Sequence, residues 1–181
     1  MNKIVVIYTS KYGSTKQYAQ WIAEELSADL FERDKVNLSK LKGYNTIIYG
    51  GGLYAGSIKG IKLIVKNFEL IKNKNIIVFT CGLADPTAKE NLRAFNNSIE
   101  KIFTKDMIEK IKFFHFRGNV NYKKLTPIHK VMMAVLRLSL KKKDPKTLTD
   151  ENKEFLETYG KVVSFTNKSS IKPLTELVKK Y

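Results

Sequence analysis

Cysteine is almost absent from this sequence, and long apolar runs do not occur in it. Cys81 is the only cysteine among the 181 residues, so no disulfide can form within the chain, and a reducing compartment suits it. No stretch of about 18 or more apolar residues is found, which argues against a membrane-spanning helix. The first residues also lack the apolar core and the small-residue cleavage site of a signal peptide. These absences predict a cytoplasmic protein.

Acidic residues are scarce relative to basic ones, and the formal net charge is +16. Residues 101–146 hold 13 Lys and Arg against 3 Asp and Glu, a net charge of +10, whereas the other 135 residues carry +6. A basic block of this kind indicates an anionic partner, which could be membrane headgroups, nucleic acid or an acidic small molecule. Solvated lysines of a lysine-rich proteome are the alternative explanation for the charge as a whole.

The length and the apolar content predict one domain with a sizeable core. Hydrophobic residues make up 43% of the chain, which is close to ordinary globular usage. Neither an internal repeat nor a low-complexity linker marks a second domain. We therefore expect a single domain over residues 1–181, with an insertion at 121–146.

Short β-branched and aromatic runs alternate with amphipathic helical patterns along the chain. The run Lys3–Tyr8 is nearly all apolar, as expected for a central parallel strand covered on both faces. The other predicted strands are Asp29–Arg33, Thr46–Gly50, Asn75–Thr80 and Lys112–Arg117. This alternation predicts an α/β fold with a five-stranded parallel sheet and right-handed crossovers. Ligands of such sheets bind beyond the carboxyl ends of the strands, so the loops after strands one, three and four are the candidate site.

The loop after strand one has the composition of a phosphate cradle. It reads Thr9-Ser10-Lys11-Tyr12-Gly13-Ser14-Thr15 and leads directly into a helix. Backbone N–H groups and the helix dipole attract an anion at a helix start, and Ser and Thr hydroxyls add hydrogen bonds. The same residue types also serve as ordinary helix caps. Several hydroxyl residues together with a glycine favour phosphate binding over a simple cap.

Two other phosphate motifs do not explain the chain. The pattern Gly-x-x-x-x-Gly-Lys-Ser/Thr is absent from this loop, which argues against a nucleotide triphosphatase. The run Gly50-Gly51-Gly52-Leu53-Tyr54-Ala55 matches a dinucleotide fingerprint, but it follows the third strand. No Asp or Glu occurs in Lys72–Thr80, where the ribose-binding acid would be expected. We therefore discount dinucleotide binding.

The segment Asn121–Lys146 interrupts the strand–helix rhythm. It contains an apolar helical face built from Leu125, Ile128, Val131, Met132, Val135 and Leu136, while Lys130, Arg137 and Lys141 share a narrow opposite face. A helix of this kind can lie on a membrane surface, or it can pack on its own domain or on a second subunit. A last helix is predicted over roughly Thr149–Phe165, since Thr149-Asp150-Glu151 forms a good N-terminal cap.

Ser10-Lys11-Tyr12-Gly13-Ser14-Thr15 after an N-terminal strand resembles the flavin mononucleotide (FMN) phosphate loop of flavodoxins. The resemblance runs along nearly the whole chain and implies a flavodoxin-like three-layer sandwich with strand order 2-1-3-4-5. It implies that the side chains of Ser10, Ser14 and Thr15 and the amides from Lys11 to Thr15, including Tyr12 and Gly13, hold the FMN phosphate. It also implies that one flavin face is covered by Gly52, Leu53, Tyr54, Ala55 and Gly56, and that the ring edge meets Cys81, Gly82, Leu83, Ala84 and Asp85. Neither a metal ligand nor a catalytic side chain is implied.

The region after the fifth strand is similar to that of the flavodoxin-fold, menaquinone-dependent protoporphyrinogen oxidases. Arg117-Gly118-Asn119-Val120-Asn121-Tyr122, His129-Lys130-Val131-Met132-Met133 and Leu136-Arg137-Leu138 carry this second resemblance. It implies that reducing equivalents pass from protoporphyrinogen to FMN and then to menaquinone. Asn121 departs from the arginine that the family often has there, and Lys123 and Lys124 are candidates to supply the charge. His115 and His129 are interpreted as packing or surface residues, and Cys81 as a small buried residue.

Two other classes of function stay open at this point. A flavodoxin-type electron carrier, or a generic quinone reductase, would share the FMN loops, although ordinary flavodoxins are acidic. A nucleic-acid-binding module would explain the charge and would bind polynucleotides in a salt-sensitive way. It would leave the Ser/Thr/Gly loop unexplained, and no recognised nucleic-acid motif appears, so we expect no nucleic acid partner.

Overall fold

Five parallel strands form the centre of the molecule, in the order β2-β1-β3-β5-β6. The structure is a computed structural model that describes residues 3–181, so the first two residues of the predicted domain lie outside the described residues. The strands are β1 (Ile4–Thr9), β2 (Asp29–Glu32), β3 (Thr46–Tyr54), β4 (Ser57–Ile58), β5 (Asn75–Gly82), β6 (Ile111–Arg117), β7 (Asn119–Asn121) and β8 (Val162–Ser164). Counted along the chain, the central strands have the predicted order 2-1-3-4-5, and the α/β flavodoxin-like fold class is confirmed.

One small pairing extends this sheet, and a second forms a sheet of its own. Strand β4 pairs antiparallel with the end of β3, and β7 pairs antiparallel with β8 in a separate two-stranded sheet. The helices are α1 (Ser14–Leu26), α2 (Leu38–Leu41), α3 (Lys62–Lys66), α4 (Phe68–Ile71), α5 (Lys89–Ile102), α6 (Lys105–Lys110), α7 (Pro127–Lys141), α8 (Asp150–Thr158) and α9 (Lys172–Val178). Among residues 3–181, no helix combines the length and the apolar character needed to cross a membrane.

The core lies in two layers because successive residues of a strand point to opposite faces of the sheet. Val5 faces a cluster formed with α3, α4 and α5, which includes Ile64, Phe68 and Ile99. Val6 faces the other cluster, which α1 and α9 cover. The central strands are therefore buried on both sides, as their nearly continuous apolar runs predict.

The sheet register brings the carboxyl ends of the central strands to one edge. Thr9 pairs with Gly51 across β1 and β3, and Gly52 pairs with Cys81 across β3 and β5. Cys81 in turn pairs with Phe116 on β6. The strand order reverses between β1 and β3, which is where ligands bind in open sheets of this type.

The structure corrects the predicted start of the loop after strand three. Residues Gly51–Tyr54 continue β3 rather than forming the loop. Gly51 is buried between β1 and β5, and a Cβ at this position would lie 2.5 Å from the Ile58 side chain. Close packing, rather than a turn, is thus what requires glycine there, and the chain turns only at Ala55 and Gly56.

The predicted last helix over Thr149–Phe165 is wrong in its second half. Helix α8 ends at Thr158, Gly160 has a φ of +86°, and the chain then enters β8. Glycine reaches that left-handed conformation without strain, so it ends the helix at this point. The predicted helix in 121–146 is confirmed as α7, which begins with Pro127 at its first position.

Candidate functional site

A cleft of about 200 Å³ lies at the carboxyl edge of the sheet, between the strand ends and α7. Its walls come from the β1–α1 loop, the end of β3, the end of β5, the turn after β6, and α7. The residues that line it are Ser10, Tyr12, Ser14, Thr15, Leu53, Tyr54, Cys81, Gly82, Leu83, Gly118, Asn119, Val120, Leu125, His129, Met132 and Met133. The cleft therefore sits at the switch point between β1 and β3 and has mainly apolar walls with a polar end.

The polar end is the turn from β1 into α1. Gly13 precedes the helix with a φ of +99°, and its N–H donates to the Ser10 hydroxyl at 3.1 Å. The first N–H groups of a helix have no partner within the helix. Within the described chain, no side chain caps the start of α1 and no acidic residue lies in its first turn. Both features leave the positive end of the helix dipole available to an anion.

The hydroxyl of Ser14 does not point freely into this cradle. It donates to the side-chain oxygen of Asn119 and accepts the Asn119 backbone N–H at 2.9 Å. Ser14 and Thr15 are both buried. Ser14 therefore ties the start of α1 to β7, and the backbone amides and the other hydroxyls are the groups best placed to meet a phosphate. The residues present fit a phosphate group, as FMN requires.

The apolar part of the cleft is formed by the ends of β3 and β5. The ring of Tyr54 lies back over Gly52, where a Cβ would come within 2.6 Å of it. Burial raises the pKa of Tyr54 to about 12, with the neighbouring Tyr12 and Cys81 acting in the same direction. Burial also raises the pKa of the Cys81 thiol to about 12, so this cysteine is a neutral packing residue, as its interpretation from sequence predicts.

Helix α7 is joined to the β1–α1 loop through one tyrosine hydroxyl. The Tyr12 oxygen accepts the Thr126 N–H at 3.3 Å and lies 2.7 Å from Nδ1 of His129. The His129 ring stacks on Tyr54, with centroids 5.1 Å apart and planes inclined by 19°. Tyr12, Tyr54 and His129 thus form a three-ring cluster across the cleft, which explains why the cleft volume is below the roughly 300–1,000 Å³ of typical ligand pockets.

His129 is neutral at this position near neutral pH. Its pKa is lowered by partial burial and by the positive charges of Lys11 and Lys59. The Tyr12 oxygen already accepts from Thr126, so the Tyr12 proton is available to Nδ1 of His129. When Tyr12 donates to Nδ1, the neutral imidazole carries its proton on Nε2. The positive charges of Lys11 and Lys59 also act on the side of the cleft near His129.

Helix α8 supports the loop after β5 from behind. Its Glu151 accepts the Asp85 N–H at 3.0 Å and the Asn91 side chain at 2.6 Å. Arg117, at the end of β6, pairs with Glu154 and donates from Nε to the Leu83 carbonyl at 3.0 Å. A second cavity of about 280 Å³ lies here, and Leu83, Val120 and Met133 line both cavities.

The structure brings together nine of the sixteen predicted cofactor residues in the lining of the cleft: Ser10, Tyr12, Ser14, Thr15, Leu53, Tyr54, Cys81, Gly82 and Leu83. The other seven lie next to these positions but outside the lining: Lys11, Gly13, Gly52, Ala55, Gly56, Ala84 and Asp85. Sequence reasoning missed part of the site. Gly118, Asn119 and Val120 follow a predicted strand end, which could have identified them, whereas Leu125, His129, Met132 and Met133 on the insertion carry no such signal.

A model of the family described as "Flavodoxin domain" matches residues 5–147 of this chain. An uncharacterised protein of Methanocaldococcus jannaschii is 35% identical over 81 residues, which cover 43% of this chain and 53% of that protein. The chain thus spans about half the length of this curated relative.

Solved flavoproteins resemble the chain at low identity. Oxidised flavodoxin 2 from Bacillus cereus is 20% identical, covers 62% of this chain and 84% of its own, and has a TM-score of 0.41. A flavoprotein in complex with FMN from Lactobacillus acidophilus is 16% identical, covers 65% and 93%, and has a TM-score of 0.40. The assignment of the chain to a family rests on the family model and not on these pairwise similarities.

Proposed function

Because this chain belongs to the flavodoxin domain family, whose cofactor is FMN, we propose that it is an FMN-dependent oxidoreductase whose organic substrate binds between the strand ends and α7. The observation that carries the proposal is the position of α7. His129, Met132 and Met133 of this helix line the cleft at the carboxyl edge of the sheet. A helix over the flavin cleft encloses a small molecule, whereas a pure electron carrier needs only an exposed ring edge.

The chain's own residues have distinct roles in this proposal. The start of α1 and the Ser10 and Thr15 hydroxyls hold the phosphate, and the walls formed by Leu53, Leu83 and the α7 methionines exclude water. When bound, FMN supplies the redox chemistry between the substrate and a quinone acceptor. The protein supplies binding, orientation and charge.

His129 lines the cleft and carries a ring that can exchange a proton with a substrate. Its neutral ring carries a proton on Nε2 when Tyr12 donates to Nδ1. A planar ligand that stacks on the face of Tyr54 covered by His129 has to displace the His129 ring, because one face of a tyrosine accommodates one ring. Filling the cleft from that side therefore requires the His129 ring to leave the face of Tyr54.

The substrate we propose is a protoporphyrinogen, with menaquinone as the acceptor. The support is the resemblance of residues 117–138 to the corresponding region of protoporphyrinogen oxidases and the positive charge beside the cleft. Lys11 and Lys59 lie close enough to His129 to lower its pKa, and they would attract the carboxylates of such a substrate.

A flavodoxin-type electron carrier is the second candidate. The family match is equally compatible with it, since the match spans residues 5–147, including the insertion, and specifies a flavodoxin domain without a substrate. In a carrier, α7 would meet a protein partner rather than enclose a substrate. The two candidates differ in whether a small molecule alone can reduce the protein.

The test is an anaerobic mixture of the FMN-loaded protein with protoporphyrinogen. Bleaching of the flavin absorbance and the rise of porphyrin fluorescence are followed together, and a menaquinone analogue is then added. Under the oxidoreductase proposal, the flavin bleaches as porphyrin forms, and the quinone restores its absorbance. The proposal would be overturned if protoporphyrinogen left the flavin oxidised, while dithionite reduced it and a redox protein partner then reoxidised it. That result would favour the electron carrier.

A further inference from the structure

Helix α7 carries most of the large hydrophobic residues that are exposed to solvent in the described part of the chain. Among the residues whose side chains the structure describes, ten large hydrophobic residues are exposed, and six of them lie on this helix. Their exposed fractions run from 42% at Leu136 to 72% at Ile128. We call these six residues the exposed strip: Ile128, Val131, Met132, Val135, Leu136 and Leu138.

The exposed strip occupies one side of α7, and the protein body occupies another. Ile128, Val131, Val135 and Leu138 recur at spacings of three and four, which places them in one row. Leu140 is buried and Met133 lines the cleft, so the inward side of the helix adjoins the strip, and Met132 and Leu136 lie at the boundary between the two. Contiguous apolar surface of this kind marks an interaction site in a soluble fold.

Basic residues surround the strip at both ends of the helix. Lys123 and Lys124 precede α7, and Lys141, Lys142 and Lys143 end it, and all five are exposed. Residues 121–146 contain 8 Lys and Arg and a single acidic residue, Asp144. Arg137 departs from the sequence-based picture, since it turns inward over the Tyr159 ring at 4.5 Å. Lys130, near the start of α7, is exposed as well, so the solvent-facing charge is concentrated toward the two ends of the helix.

We propose that the exposed strip docks on the surface of an anionic lipid bilayer, with α7 lying in the headgroup region. The apolar row would enter the boundary between headgroups and acyl chains, and the lysines at both ends would meet anionic lipid. A polynucleotide would pair with the lysines but leave the apolar row in water. Two copies packed antiparallel along α7 would bring Lys141–Lys143 of one copy against Lys123 and Lys124 of the other, so the charges oppose a dimer.

Docking in this orientation places the cleft at the lipid surface. Met132 belongs both to the exposed strip and to the cleft lining. A molecule dissolved in the bilayer would then reach the cleft beside α7. The docking surface itself stands on exposure and charge and does not depend on which reaction the protein catalyses.

The experiment is co-sedimentation of the full, FMN-loaded chain with vesicles. Neutral phosphatidylcholine vesicles are compared with an equal mixture of phosphatidylcholine and phosphatidylglycerol, at low and at high salt. The protein is expected to sediment with the anionic vesicles and to be released by salt. Val135→Glu should weaken partitioning about tenfold or more, and Lys142→Gln/Lys143→Gln should weaken it by roughly tenfold to thirtyfold.

Two matched variants control for a general loss of hydrophobicity or charge. Leu70→Glu changes a residue with 65% exposure on α4, and Lys105→Gln/Lys110→Gln removes two exposed lysines of α6. Both sites precede the amino ends of β5 and β6, away from the cleft, so partitioning should stay at the wild-type level. Failure to bind anionic vesicles, or binding that Val135→Glu leaves unchanged, would overturn the proposal. So would a dimer in solution that Val135→Glu dissociates.

Discussion

Gly118 follows β6 and lies against the end of β5 and the start of α1. A Cβ there would lie 3.0 Å from both the Cys81 sulfur and the Ser14 hydroxyl oxygen. Its N–H donates to the Gly82 carbonyl at 2.6 Å. The next residue, Asn119, makes two hydrogen bonds to Ser14. Residue 118 therefore has to be a glycine, because a side chain there would displace Ser14. The contacts of Ser14 set the position of the β1–α1 loop relative to the strand ends.

Gly118→Ala is expected to weaken FMN binding about tenfold or more. The added methyl group forces Ser14 or Cys81 to move by a few tenths of an ångström in a packed region, and the β1–α1 loop, which we propose holds the phosphate, moves with Ser14. Titration of the apoprotein by flavin fluorescence quenching measures the effect. Gly43→Ala is the control, since the nearest atom to its Cβ is the Lys40 oxygen at 3.9 Å. Equal affinities for the two variants would contradict this account of the cradle.

At the scale of elements, α7 is attached to the rest of the protein at its start and, further along, where it packs against α8. The Tyr12 hydroxyl contacts Thr126 and His129, and the His129 ring stacks on Tyr54. Further along, Arg137 lies over the Tyr159 ring and Leu140 is buried. The element that closes the cleft is therefore held by a small number of polar and aromatic contacts, which suits a part that has to admit a ligand.

Tyr12→Phe is expected to loosen the start of α7 without unfolding the protein. The change leaves the ring but removes the hydroxyl that accepts from Thr126 and meets Nδ1 of His129, which costs about 1 kcal/mol of local stability. Hydrogen exchange of the backbone amides in residues 126–130 should become severalfold faster. The exchange rate of each amide measures this effect directly. Tyr44→Phe, which removes a hydroxyl that donates to Asp29 at 2.6 Å on the surface, serves as the control. Unchanged exchange in Tyr12→Phe would show that stacking alone holds α7.

At the scale of the whole molecule, a histidine couples folding to pH. His115 lies on β6, stacks on Phe95 with centroids 4.2 Å apart, and is 2.7 Å from the Thr80 hydroxyl. Burial lowers its pKa from 6.5 to about 4. The unfolded chain therefore takes up a proton before the folded one does as the pH falls. The stability linked to this histidine is fully present above its pKa in the unfolded chain. It is lost as the pH falls toward its pKa in the folded protein.

The free energy of unfolding should accordingly fall by roughly 2 kcal/mol between about pH 6.5 and about pH 5, with one histidine shifted in this way. Urea denaturation at several pH values gives the slope, and NMR titration of the ring protons gives the His115 pKa directly. His115→Gln removes the titrating group and should flatten most of this slope, although it is less stable at neutral pH. His129 adds a smaller loss of stability as the pH falls, because its pKa is also lowered in the folded protein. A slope unchanged by His115→Gln would assign the pH dependence to other groups.

The sequence by itself determined the strand order, the family and the cofactor. Apolar runs such as Lys3–Tyr8 and the hydroxyl-rich turn Ser10–Thr15 are local patterns, and each can be interpreted without knowing what packs against it. The family match over residues 5–147 confirms the flavodoxin-like fold and FMN, while the oxidase assignment stays a proposal.

Only the tertiary structure decided what closes the cleft and which way α7 faces. Tyr12 and His129 are 117 residues apart in sequence, and Asp85 and Glu151 are 66 residues apart. Helical periodicity identified the apolar and basic positions of α7, but not that Arg137 turns inward while Val135 stays exposed. Such choices depend on which surfaces meet after the chain folds, and packing between distant segments leaves no periodic signal in either segment alone.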